Sequence, residues 1–360
     1  MASSNSWCSL LKELLELIFN RLEIDVDVLR CSFVCTSWRP VALHVYRKFI
    51  PLLLFPNETL KTNSWTLFDL TTRETRDLHL QETCRRWIPC SSNGWLLTIG
   101  VDCPHKMHLL NVISKSQVLL PSIDTLKPSL DSFSRFDKSS GGDYYINKVI
   151  VSSCPSNPGC SVLVNYYYRS KLALCTVGDE KWRILKTNLG VEGIVCYKGE
   201  FYVIDELRRV FICTLISETL EFVCRVPNFG DYRCIYLVES LYGELLLVIR
   251  KCCDWNQFEV CKLDLKLRTL FSVKNLRNQA LFLGINGSAV VARGCSRFGK
   301  GNCIYFIAYD HPFMSPFFMG HCGPAMFDME MEKFEWFHET EFSNFENFRK
   351  FHWISPDICH

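Results

Sequence analysis

The sequence predicts a mainly β chain with a small α module at its start. Three short helices come first, then a β-propeller of about six four-stranded blades. Three observations carry this prediction. Apolar residues repeat at helical spacing over residues 10–22. From residue 50 the repeat changes to alternation, the period of a strand. A strand–turn–strand unit then recurs between Asp69 and Asp328 at roughly 50-residue spacing, the period of a propeller blade.

The first helix is read from LLKELLELIFNRL (10–22). Leu11, Leu14, Leu15, Ile18 and Leu22 fall at i, i+3, i+4, i+7 and i+11, one apolar stripe on an α-helix. Glu13, Glu16 and Asn20 fall away from it, and no Gly or Pro interrupts it. Ser9 stands ahead of it as the expected cap. Asp25 and Asp27 open a second helical piece containing Val28, Leu29 and Phe33, and VCTSWR (34–39) leads into a third through Val41 and Val45. Three short helices cannot bury much surface by themselves. Leu10, Leu14, Ile18, Leu29, Val34 and Trp38 exceed what such a unit hides, so the module is expected to offer an apolar face to a partner.

The β part follows from alternation bounded by polar turns. The segments WTLFDLTTRETRDL (65–78), HLLNVISKSQVLL (108–120) and LALCTVGDEKWRIL (172–185) each read as strand, turn, strand. So do FYVIDELRRVFICTL (201–215), FEVCKLDLKLRTLFSV (258–273) and AMFDMEMEKFEWF (325–337). Repeated antiparallel hairpins argue for a propeller of four-stranded blades, with an irregular β-sandwich as the other arrangement. Three regions break the rhythm. Residues 121–147 read as a long surface loop. Residues 293–302 (RGCSRFGKGN) are Gly-rich and basic, yet lack the Gly-Lys-Ser/Thr of a phosphate loop. Residues 311–323 (HPFMSPFFMGHCG) crowd aromatics and Met between Pro and Gly, which suits either a loop folded onto the body or a binding loop. In the tail, Phe345, Phe348, Phe351 and Trp353 suit a terminal strand that closes the ring.

Composition limits the function classes. A net charge of +2 on 360 residues suggests neither nucleic acid nor an anionic membrane as partner. No apolar run approaches the roughly 18 residues of a membrane span. MASSNSWCSLLKE lacks the basic start and apolar core of a signal peptide, so a nuclear or cytoplasmic chain is expected. The 20 cysteines are then expected to be reduced thiols. Cys103, His105 and His108 are three potential ligands without a fourth, too few for a metal expectation. No nucleophile elbow, P-loop or His-Glu-x-x-His motif occurs, and no cofactor or catalytic residue is expected.

Residues 7–47 resemble an F-box. The motif reads Trp-x-x-Leu-Pro-x-Glu-Leu-Leu-x-x-Ile, an Asp-containing turn, Leu-Arg, then Val-Cys-x-x-Trp-Arg. Trp7, Leu10, Glu13, Leu14, Leu15, Ile18, Arg21, Leu22, Asp27, Leu29, Arg30, Val34, Cys35, Trp38 and Arg39 stand at matching positions. Leu11 replaces the usual Pro. The remainder resembles the KIB-type β-propeller of plant F-box proteins. The likeness rests on CSSNGWLLTIG (90–100), HLLN (108–111), KVIVSSCP (148–155), GDEKW (178–182), YKGEFYVID (197–205), LVESLYGELLLVIR (237–250), FEVCKLDL (258–265), NQALFLGINGS (278–288), GNCIYF (301–306) and MFDME (326–330). Where that family often has an acidic pair after Ile-Tyr-Phe, this chain has Ala308, Tyr309 and Asp310.

The resemblance implies an F-box domain over 5–48, a propeller over 50–355, and a non-catalytic receptor subunit of an SCF-type cullin-RING ubiquitin ligase. The expected surface for the Skp-type adaptor is Leu10, Leu11, Leu14, Ile18, Leu22, Val34 and Trp38. The expected target-protein surface is Phe313, Met314, Phe317, Phe318 and Met319. Two alternatives remain at this point: a propeller enzyme or small-ligand binder working through its central channel, and a receptor that no longer joins a ligase.

Overall fold

The computed structural model describes residues 7–19, 21–22, 25–46, 51–57, 64–70, 72–102, 104–126, 146–167, 169–187, 189–214, 219–228, 230–251, 257–284, 289–293, 301–309, 322–336 and 351–355. It is a mainly β chain: a three-helix module followed by a six-bladed propeller.

A 3-10 turn, Trp7–Ser9, precedes α1 (Lys12–Phe19), α2 (Asp25–Cys31) and α3 (Trp38–Tyr46). Ser9, expected as the cap, lies in the 3-10 turn instead. The helix opens on the Leu11 carbonyl, which accepts from the Leu14 and Leu15 amides. α1 closes with bonds from Arg21 to Ile18 and from Leu22 to Phe19, the tighter i→i+3 pattern that satisfies terminal carbonyls. Pro40 falls in the first turn of α3, where its missing N–H would have had no helical partner. Leu15, Phe19, Val28, Val41, Ala42 and Val45 form the module's core, with Ile113 of the propeller packed against it.

The first blade holds β1 (Leu52–Pro56), β2 (Ser64–Asp69) and β3 (Glu74–His79). The second holds β4 (Arg86–Ser92), β5 (Trp95–Gly100), β6 (Met107–Asn111) and β7 (Gln117–Leu120). The third holds β8 (Ile146–Val151), β9 (Ser161–Tyr166), β10 (Lys171–Thr176) and β11 (Arg183–Leu185). The fourth holds β12 (Val191–Tyr197), β13 (Glu200–Asp205), β14 (Arg209–Thr214) and β15 (Thr219–Arg225). The fifth holds β16 (Tyr232–Glu239), β17 (Leu245–Lys251), β18 (Phe258–Asp264) and β19 (Thr269–Ser272). The sixth holds β20 (Gln279–Leu283), β21 (Ala289–Arg293), β22 (Cys303–Tyr309), β23 (Cys322–Asp328) and β24 (Lys333–Trp336). Finally β25 (His352–Ile354) returns to the first blade and pairs antiparallel with β1, Leu53 opposite Trp353. The tail therefore closes the ring as Phe351 and Trp353 predict; Phe345 and Phe348 lie outside the described residues. Phe351 and Trp353 are buried between the last and first blades, and the Trp353 indole N–H donates to the Leu283 carbonyl at 3.1 Å.

Inner and outer strands differ as their neighbours require. β17 is buried along nearly its whole length and reads LLLVI before Arg250 and Lys251, apolar over Leu245–Ile249 because other strands cover both faces. β3, an outer edge, reads ETRDLH and is largely exposed, its charges blunting an edge that could otherwise recruit another strand. In four blades the innermost strand carries a register shift near its start: Trp87/Cys90, Ile146/Lys148, Val191/Gly193 and Tyr232/Cys234. Such bulges add local twist, which suits strands splayed around a shared axis.

Four expectations need correcting. The unit at 201–215 is the middle pair of its blade, β13 with β14, whereas the other five hairpins are outer pairs. The tight Asp205–Arg208 connection made the middle pair the more visible hairpin. Residues 121–126 are not surface loop: Ile123 and Leu126 are fully buried in a short 3-10 turn, and Trp182 Nε1 donates to the Pro121 carbonyl. Within 311–323, Cys322 and Gly323 belong to β23. The sixth blade also departs from four strands. β20 is inserted beside the inner strand β21 and runs parallel to β22, Ala280 opposite Cys303.

Candidate functional site

On α1 the apolar residues divide between two faces. Leu15 is 1% exposed and Phe19 is fully buried, both facing α3 and the module's core. Leu11 is 67% exposed, Leu14 45% and Ile18 39%, on the flank of the same broad stripe that the module leaves uncovered. Leu17, Phe33, Val34 and Trp7 are exposed too. Lys12, Glu13 and Glu16 take the remaining side of the helix, so the bare apolar flank is complete only when a partner covers it.

The expected adaptor residues therefore separate into groups. Leu11, Leu14, Ile18 and Val34 are bare. Leu10, Leu22 and Trp38 are half-buried against the module's own core. Trp38 packs edge-on against Phe19 at 5.3 Å and Trp7 at 6.5 Å, and its indole N–H donates to the Trp7 carbonyl at 3.0 Å. Its first task is to pin the 3-10 turn onto the helices. Sequence reasoning did not name Leu17 and Phe33 among the adaptor residues, and both are exposed. The broad apolar stripe of α1 was the available signal, but it did not say which members point out.

The module meets the propeller at Ile113, in the turn between β6 and β7. The turns joining β4 to β5 and β16 to β17 lie at that same end of the ring, given the antiparallel pairing within blades. β20 begins there, because the Gln279 side chain accepts from the Leu241 amide. β22 runs parallel to β20, so it ends at Tyr309, and β23 begins at Cys322, on the face opposite the module. Phe313, Met314, Phe317, Phe318 and Met319 lie outside the described residues.

The ring encloses a cavity of about 350 Å³, lined by residues of all six innermost strands, β4, β8, β12, β16, β21 and β25. Among the described residues that line it, Glu239 is the one charged side chain; the rest are mostly aliphatic or Ser. Burial pushes the Glu239 carboxyl above the usual range, partly offset by the Lys198 amide and ammonium. Nearer the other face, buried Lys148 on β8 donates its ammonium to the Glu192 carbonyl on β12. Burial and then the neighbouring Arg169 bring its pKa down to about 8. Glu192 in turn accepts from Arg169 at 3.4 Å. These contacts tie neighbouring blades together.

The Cys103, His105 and His108 group does not converge in what is described. Cys103 lies outside the described residues. The His105 Nδ1 is 3.1 Å from the Gly100 carbonyl, and the His108 Nδ1 meets the Arg86 guanidinium within its own blade. Burial, then Arg86 and Lys106, push His108 down to about 4. Among the described residues no three His, Cys, Asp or Glu side chains cluster as metal ligands, and no helix is long and apolar enough to cross a membrane.

Comparison with known proteins agrees with both parts of the chain. Residues 67–332 match the family described as KIB1-4 beta-propeller. A putative F-box protein of Arabidopsis thaliana, At5g55150, is 29% identical over 98% of both chains. The F-box protein KIB4 of the same plant is 24% identical over 82% of this chain and 81% of its own. The F-box/kelch-repeat protein KIB1 is 25% identical over 82% of this chain and 75% of its own. With its helical module ahead of the matched propeller, the chain belongs to the KIB1-4 beta-propeller family of plant F-box proteins.

Proposed function

We propose that this chain is the substrate-recognition subunit of an SCF-type cullin-RING ubiquitin ligase. The bare apolar flank of α1, Leu11, Leu14 and Ile18, together with exposed Val34, carries the proposal. It is the surface to be covered by a Skp-type adaptor, which links the chain to the cullin. The propeller then holds a target protein within reach of the ubiquitin-charged enzyme. The chain acts by proximity and transfers nothing itself. A channel with one carboxylate among its described lining residues supports a receptor over an enzyme, because it offers no converging acid and base. The proposed target surface is Phe313, Met314, Phe317, Phe318 and Met319, whose aromatic and Met character suits a protein interface. Nucleus and cytoplasm are the proposed compartments.

The test is co-purification of the full chain with a Skp-type adaptor and cullin, followed by proximity labelling with and without proteasome inhibition. Adaptor and cullin are expected in the complex, with labelled proteins that accumulate under inhibition. A folded chain that recruits no adaptor overturns the proposal. Phe317→Ala with Phe318→Ala is expected to remove labelled targets while leaving Tm nearly unchanged; a large loss of Tm would assign those rings to the core.

A further inference from the structure

Two thiols meet on the helical module, and only one of them belongs to the F-box pattern. Cys35 stands at a motif position ahead of Trp38; Cys8, in the Trp7–Ser9 turn, does not. That turn is tied to the start of α3 by two hydrogen bonds. The Trp38 indole N–H donates to the Trp7 carbonyl at 3.0 Å, and the Ser37 hydroxyl donates to the Cys8 carbonyl at 2.8 Å. The same Ser37 oxygen lies 3.2 Å from the Cys35 sulfur. One hydroxyl thus holds together two cysteines that are far apart in sequence. Cys8 is exposed and Cys35 half-buried, so both can meet a solute.

The surroundings favour reaction at Cys35. The Ser37 hydroxyl holds its thiol below the usual range; desolvation opposes this, and the Trp38 amide, the Cys8 thiol and the Ser37 amide reinforce it. Burial instead pushes the Cys90, Cys175 and Cys196 thiols up, which keeps them unreactive. A readily ionised thiol that reaches solvent beside a second thiol is the arrangement of a redox-sensing pair. We propose that Cys8 and Cys35 are a modification site for hydroperoxides, which convert the two thiols to a disulfide. The Cys35 thiolate attacks a peroxide oxygen. An S–O bond forms, the O–O bond breaks, and the departing oxygen takes a proton to become water or an alcohol. The Cys8 sulfur then attacks the Cys35 sulfur. The S–S bond forms, the S–O bond breaks, and hydroxide leaves as water with the Cys8 proton. The two thiols lose two electrons and the peroxide gains them. This site is independent of the ligase reading; either can fail alone.

The test treats the purified, fully reduced full chain with hydrogen peroxide in near-stoichiometric amount and maps its cysteines by peptide mass spectrometry. A Cys8–Cys35 crosslink lacking two hydrogen atoms is expected before exposed Cys84 is modified, and dithiothreitol should reverse it. This arm needs no variant. In Cys8→Ser no second thiol resolves the first product, so dimedone should trap a sulfenic acid at Cys35. Cys35→Ser should leave Cys8 unmodified at the same dose. Ser37→Ala keeps both thiols and should slow crosslinking by at least about threefold. A melting curve establishes that each variant is folded. Modification of Cys84 ahead of the pair, no Cys8–Cys35 crosslink in the parent chain, no dimedone adduct at Cys35 in folded Cys8→Ser, or an unchanged crosslinking rate in folded Ser37→Ala would overturn the proposal.

Discussion

Leu14 and Leu15 are neighbours in sequence and opposites in the fold, which makes them a sharp test of the outward face. Fully burying a Leu side chain from water contributes about 1.5–3 kcal/mol. Leu14 keeps 45% of its surface exposed, so docking has about 0.7–1.3 kcal/mol left to gain from it. Leu14→Ala should therefore leave Tm within a degree or two and weaken adaptor binding by roughly 3- to 10-fold. Leu11→Ala, Leu14→Ala and Ile18→Ala together should cost about 2–4 kcal/mol of affinity, allowing for non-additivity. Leu15, at 1% exposure, behaves in reverse. Its truncation leaves a cavity and should cost about 2–5 kcal/mol of stability. The assay is calorimetric titration of a Skp-type adaptor, paired with thermal melts of each variant. If Leu14→Ala destabilises the fold as Leu15→Ala does, or if the triple variant binds the adaptor unchanged, the assignment of this face is wrong.

Leu11 gives the helix its carbonyl, so Leu11→Pro should be accommodated and should tighten adaptor binding by some tenths of a kcal/mol, within typical Xaa→Pro gains of about 0.4–1 kcal/mol; weaker binding in the titration would make Leu11 a direct contact. Ending the chain at Glu341 removes β25, exposes the β1 edge, and should yield aggregated protein by light scattering; a monomer with unchanged Tm would contradict closure by that strand. Gly94 sits at φ +80, where an added Cβ would lie 2.4 Å from the Ser355 carbonyl oxygen. Gly94→Ala should loosen the same closure by at least about 1 kcal/mol in a denaturant melt, and an unaffected midpoint would refute the close approach. His352 is buried and its pKa is pushed down to about 4. The unfolded chain takes up that proton near pH 6.5, so it binds more protons than the folded chain between about 6.5 and 4, and stability falls as pH drops through that window. His352→Phe should shrink the loss of stability between pH 7 and pH 5; the same slope in variant and parent would remove His352 as its source.

Much of this architecture is legible in the chain alone because its signals are local. The change from a 3.6-residue to a 2-residue repeat near residue 50 marks where helices give way to blades. The outer hairpins announce themselves because a tight polar turn sits between two alternating runs. The terminal aromatics Phe351 and Trp353 mark the closing strand because large rings that late in a propeller are most simply buried against the first blade. Other features depend on partners distant in sequence. Which of Leu14 and Leu15 faces outward is decided by where α3 lies, since both fall in one broad apolar stripe. Trp38 looks like an interface residue, yet it packs on Phe19 and Trp7. The inserted strand β20 and the phase of the fourth blade depend on pairing across the sheet, which alternation cannot rank. The channel exists only once six strands from six blades converge. Residue type and spacing thus determined the kinds of element, their order along the chain and the family resemblance, because each of these is set by neighbours along the chain. The outward face of α1, the lone carboxylate in the channel and the buried His352 were decided by the tertiary structure, because exposure and charge environment depend on residues that only folding brings together.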